Sequence, residues 1–131
     1  MNVKKFGFFV LLFSVLAGVA FSQNVVLRDG IYQAPGSSDI VSIHAMGQPY
    51  EYHQMTWYVG NSYDLPIIQS QGRFFGNQLR VSITWYNIAY ITATLGINHG
   101  VRAGNQVIYT ILNQTSFIDG AGNTWTWRRA F

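Results

Sequence analysis

Four Gly-Asn pairs, at Gly60-Asn61, Gly76-Asn77, Gly104-Asn105 and Gly122-Asn123, divide the chain into short segments rich in β-branched and aromatic residues. Gly at the first central position of a two-residue turn suits the II′ hairpin, because only Gly enters that conformation cheaply. Further turn signals stand at Pro35–Asp39, Met46–Pro49, Gly96–Gly100 and Asp119–Asn123. A chain interrupted this often is a meander of antiparallel strands. The irregular spacing of the pairs argues against an internal repeat.

The strand candidates between the turns are 25–33, 40–45, 51–59, 62–69, 79–86, 88–95, 106–112 and 124–130, with shorter pieces at 73–75 and 116–118. Alternation is cleanest where Leu79, Val81, Ile83 and Trp85 share one face and Arg80, Ser82 and Thr84 the other. Such period-two patterning marks a half-buried strand. His53, Met55, Trp57 and Val59 likewise share a face. The pattern blurs in Trp85–Leu95, where a short helix can hide. About eight to ten short strands predict an all-β fold, either a small antiparallel up-and-down barrel or a compact sandwich.

The beginning of the chain has a different character. Lys4 and Lys5 precede an apolar run, Phe6–Val19, and Ala20-Phe21-Ser22 sets small residues at the positions a signal peptidase reads. This tripartite order predicts a secretory signal peptide over 1–22, followed by one β domain over 23–131. The apolar run is shorter than the roughly 20 residues of a membrane span, so the membrane is expected to be met only during export. Val19 stands where a bacterial lipobox carries its lipidated cysteine, so no lipid anchor is expected. The predicted destination is periplasmic or extracellular.

Removal of that segment changes the charge. Both lysines leave with it, and six arginines against five acids give +1 instead of +3. Only Arg128 and Arg129 are adjacent, so no basic patch recommends nucleic acid as a partner. The absence of cysteine excludes disulfides and thiolate chemistry.

Two ends of the chain resemble the lipocalin-like (calycin) barrels. In that family a Gly-x-Trp on the first strand meets an arginine from the last strand across the closed end. Here Gly30-Ile31-Tyr32 stands near the start and Trp125-Thr126-Trp127-Arg128-Arg129 at the end, with Tyr32 in place of the family's tryptophan. The segment Phe117–Trp125 also resembles the last hairpin of small bacterial lipocalin-like proteins. The resemblance implies an up-and-down barrel in which Gly30, Tyr32 and Arg129 close the end, Arg129 lying over the Tyr32 ring.

No catalytic motif is present: there is no Gly-x-Ser-x-Gly elbow, and the five acids are scattered. His44, Glu51, His53 and His99 are the only residues resembling a metal-ligand group, and they lack close ligand spacing. A two-residue turn at Gln48-Pro49 would set His44 opposite His53. Neither a metal nor another cofactor is expected. Asp119–Asn123 lacks the acids of a calcium loop, and Asn113-Gln114-Thr115 reads as a turn.

Function therefore rests on the aromatic set. Trp57, Trp85, Trp125, Trp127, Tyr58, Tyr86 and Tyr90 all fall in predicted elements, and most must supply core. Glu51, His53, Met55, Trp57 and Trp85 combine a few polar groups with apolar bulk, as ligand pockets do. The expected function is an exported, non-enzymatic binding module for a small apolar or amphipathic ligand. The alternatives are an adhesin-like or inhibitor-like interaction protein of the envelope, and, less favoured, a small outer-membrane barrel.

Overall fold

The structure is a computed structural model and describes residues 25–46 and 52–131. The expected signal peptide and Glu51 lie outside the described residues. The elements run β1 (Gly30–Gln33), β2 (Ile40–Met46), β3 (Tyr52–Tyr58), β4 (Pro66–Phe75), β5 (Gln78–Tyr86), α1 (Ile88–Leu95), β6 (Gln106–Asn113), β7 (Ser116–Ile118) and β8 (Thr124–Arg129). Each strand pairs antiparallel with the next, and β8 pairs with β1, which closes an eight-stranded barrel. The architecture is the up-and-down barrel, not the sandwich.

Local chemistry explains where the elements depart from expectation. Residues 25–29 do not extend β1, because they cross the end of the barrel. Val25 N–H donates to Gly76 O at 3.0 Å and Arg28 N–H to Gln114 O at 2.7 Å, both in turns between later strands. The strand predicted from Ser62 begins at Pro66, after a loop in which the Asp64 N–H donates to Ser62 Oγ. The same strand absorbs the short piece at 73–75, because Gly72 permits the β5 backbone to come close: a Cβ there would stand 1.7 Å from Arg80 O. The segment 88–95 is a helix and not a strand. Asn87 caps it, its Oδ1 accepting from Tyr90 N–H at 3.0 Å, and Gly96 N–H ends it on Thr92 O.

The turn prediction holds in detail at the β4–β5 hairpin, where Gly76 and Asn77 connect the paired residues Phe75 and Gln78. The glycines of all four Gly-Asn pairs have positive φ. Gln114 and Thr115 likewise form the tight turn between β6 and β7.

Inward residues of alternating strands make the core. Leu27, Tyr32, Ile43, Leu79, Val81 and Phe117 are all essentially inaccessible. Trp125 stacks parallel to Phe117 at 6.1 Å between centroids and meets Trp57 edge-on at 5.0 Å. Outward positions are mixed: Arg73 and Arg80 pair across β4 and β5, while Phe75, Ile108 and Leu112 are exposed apolar side chains on β4 and β6.

The strand connections give the barrel two unlike ends. At one, the described turns, 76–77 and 114–115, are tight and residues 25–29 lie across the opening. At the other, the connections are 34–39, 59–65, 87–105 and 119–123, and the third of these contains α1. The first is called the closed end and the second the mouth.

Candidate functional site

Helix α1 and the mouth ends of β3 and β4 form the site. Tyr90, Ile91, Thr94 and Leu95 recur at helical spacing and face Trp57, Val59, Ile67 and Ile68 across a groove of about 350 Å³. That volume lies within the roughly 300–1,000 Å³ of small-molecule pockets. Ile91 is the anchor of the helix, buried on this face. Ile88 and Leu95 remain more than half exposed, and Ile97 beyond them is 79% exposed.

A second, smaller cavity of about 70 Å³ lies inside the barrel below the groove. Val41, Met55, Ile83 and Val107 supply its apolar walls, and Ser70 and Tyr109 complete its lining. Trp57 and Ile68 line both spaces, so they form the partition between the groove and the interior. The Trp57 indole is held there by its Nε1–H, which donates to Asp39 Oδ2 at 3.2 Å. The other Asp39 oxygen accepts from Gly60 N–H at 3.1 Å, tying the β1–β2 and β3–β4 loops together over the mouth.

Electrostatics at the cavity are those of neutral groups. Burial, aided by the nearby Asp119 carboxylate, pushes the Tyr109 phenol up to about 12, so it stays a neutral hydroxyl. Burial also opposes ionisation of Asp119. Its hydrogen bonds from Trp125 Nε1, from Asn123 and from Ala121 N–H outweigh that effect and hold the carboxyl below its ordinary value. Asp119 thus organises the β7–β8 loop and pins the Trp125 ring from the mouth side.

Met55 and Trp57 meet at the interior cavity, whereas the other residues expected in a pocket separate. His53 faces inward but lies toward the closed end, beside a different recess formed with Val26, Leu27, Asp29 and Ala45. Trp85 turns outward and is 42% exposed. The cause is an irregularity in the β4–β5 ladder, where Ser70 pairs with Ile83 but Gln69 pairs with Trp85. The extra residue, Thr84, reverses the alternation that places Ile83 inside. Val41, Ser70, Val107 and Tyr109 were not singled out from the sequence. Their only signal is inward phase on β2, β4 and β6, and phase alone does not tell cavity wall from core.

The three histidines do not converge. In the β2–β3 register Ala45 faces His53, while His44 faces Gln54, so the assumed turn is off by one and the two imidazoles fall on opposite faces. His44 Nδ1 stands 3.4 Å from Asp29 Oδ2 on the outside. His99 Nδ1 accepts Val101 N–H in the α1–β6 connection. Among the described residues no group of three or more His, Asp or Glu side chains could hold a metal ion.

The closed end joins the first and last strands through other residues than expected. Arg129 does not lie over Tyr32. Its guanidinium donates to Asn61 Oδ1 at 3.0 Å. The arginine stacked on a ring at this seam is Arg28, 4.0 Å from the centroid of Trp127. Trp127 Nε1–H donates to Asp29 O at 3.0 Å, and the Tyr32 hydroxyl donates to Arg28 O at 2.6 Å. The arginine comes from the segment before β1 and the aromatic ring from β8. Gly30 makes the seam possible: its φ is +147°, and a Cβ there would lie 2.3 Å from Trp127 Nε1.

Compared with protein-family models, characterised proteins and solved structures, the chain matches none.

Proposed function

We propose that the protein is an exported, non-enzymatic, lipocalin-like barrel that binds a small apolar or amphipathic ligand at the mouth. The carrying observation is the pair of spaces that share Trp57 and Ile68 as lining residues, one under α1 and one inside the barrel. The ligand's apolar part lies between α1 and the barrel rim. Displacement of the Trp57 indole from Asp39 joins the two spaces and lets a chain reach Met55, with the Ser70 and Tyr109 hydroxyls as polar anchors. No metal or cofactor takes part. Export to the periplasm or beyond follows from the tripartite start of the sequence.

An envelope interaction protein of the adhesin or inhibitor kind is the second reading. The exposure of Ile88, Leu95 and Ile97 around the mouth favours it, since these side chains could meet a protein partner. An outer-membrane barrel is disfavoured, because such barrels face lipid with an apolar band, and here Arg73 and Arg80 stand on the outer face.

Native mass spectrometry of protein purified from its source decides between the readings. The ligand reading expects a retained small molecule, lost from Trp57→Ala and Tyr109→Ala proteins that remain folded. A ligand-free chain carrying a second polypeptide would instead establish the interaction reading.

A further inference from the structure

We propose that His53 is an acid-sensitive latch on the closed end: protonated, its imidazolium cannot remain in its buried, unpartnered site, and residues 25–29 and the start of β3 open together. This inference does not depend on what binds at the mouth.

The geometry carries it. His53 has no accessible surface, and among the described residues neither ring nitrogen has a hydrogen-bond partner. Its ring meets Phe74 edge-on at 4.5 Å between centroids. A buried imidazole without partners is tolerable only when neutral, since a buried charge must be paired and hydrogen-bonded. The recess beside it is walled by Val26, Leu27 and Asp29 from the segment that crosses the closed end, and by Ala45 of β2. Moving the imidazolium to water therefore means moving that segment.

Among the described residues, two titratable groups act on it. Asp29 comes from the crossing segment and His44 from β2, while β4 packs it with Phe74 and pairs it with Gly72. Burial lowers the His53 pKa from its ordinary value of 6.5, Asp29 pulls it back upward, and His44 adds to the lowering. Asp29 cannot serve His53 freely. Its Oδ1 accepts Ala45 N–H at 3.0 Å, and its Oδ2 faces His44.

The sign follows from linkage. An opened closed end exposes His53, which then takes up its proton near pH 6.5, whereas the closed form resists until a lower pH. The open form binds more protons in that window, so closure is fully stable above about pH 6.5 and weakens as pH falls toward the lowered value. One proton weakens closure by at most about tenfold per pH unit.

The test is amide hydrogen exchange on the purified protein at pH 7 and pH 5, corrected for intrinsic rates. Val25, Arg28 and Ala45 report the closed end through their bonds to Gly76 O, Gln114 O and Asp29 Oδ1. Asn87 and Gly96 report the mouth through theirs to Ile67 O and Thr92 O. We expect protection at the closed end to fall about tenfold or more, within the one-proton limit, with little change at the mouth. His53→Phe should abolish the response, whereas His44→Gln and Glu51→Gln should keep it. Glu51 is included because it stands two residues before His53 in sequence. Equal acid sensitivity at both ends, or an unchanged response in His53→Phe, overturns the proposal. If that variant does not fold, the His53 ring-proton titration by NMR decides: a midpoint well below 6.5 supports the latch and one at or above 6.5 refutes it.

Discussion

The two ends of this barrel use similar residues to opposite effect. At the closed end an arginine, a tryptophan, a tyrosine and a glycine interlock. Arg28 covers Trp127, Trp127 reaches Asp29 O, Tyr32 holds Arg28 O, and Gly30 leaves room for the indole. At the mouth, a tryptophan and an aspartate also meet, but Trp57 borders empty space on two sides. Connection length governs the difference. At one end the two-residue turns at 76–77 and 114–115 receive a short crossing segment that fills the opening. Long loops at the other hold α1 above the barrel, with a groove between them. Aromatic side chains in a small barrel are thus core or pocket according to what the adjacent connection brings over them.

The sharpest way to break the comparison is to add one carbon at each end. Gly30→Ala meets the Trp127 indole and forces an L-residue into a conformation essentially reserved for glycine. Overpacking and backbone strain together should cost about 3–4 kcal/mol in urea titrations. Gly100→Ala, also at positive φ but with nothing within 4 Å of its Cβ, should cost only about 1–2 kcal/mol. Equal losses would show that the closed end is no more tightly fitted than the mouth loops.

A smaller effect separates the observed seam from the one the family resemblance implies. In a double-mutant cycle, Arg28→Ala and Trp127→Leu should be coupled by about 0.5–2 kcal/mol, the worth of a guanidinium over an aromatic face. Tyr32→Ala and Arg129→Ala should be additive within about 0.5 kcal/mol, because Arg129 is engaged by Asn61 instead. The reverse pattern in urea titrations would restore the contact that the resemblance implies.

These residues also show how far the sequence could be read. The antiparallel meander was legible because turn glycines and period-two alternation are local signals, and Gly76-Asn77 needs no distant partner to make a hairpin; closure into a barrel instead of a sandwich was not, because it depends on β8 meeting β1. The partner of each arginine was not, since Arg28 and Trp127 are brought together only by closure of the sheet. One inserted residue, Thr84, turned Trp85 out of the pocket, and one residue of register set His44 on the opposite face from His53. Helix α1 was visible only as a blurred alternation, because its Asn87 cap and Gly96 stop act on a segment that is otherwise as apolar as a strand. Of the expected pocket, Met55 and Trp57 converge at the interior cavity.

Chemical-shift mapping by NMR with 1-decanol as a probe amphiphile tests the distinction between the ends most directly. The account predicts saturable shifts at Met55, Trp57, Ile68, Ile91 and Tyr109, with Leu27, Tyr32 and Phe117 unmoved. Shifts centred on the closed end, or no saturable shift at the mouth, would contradict it.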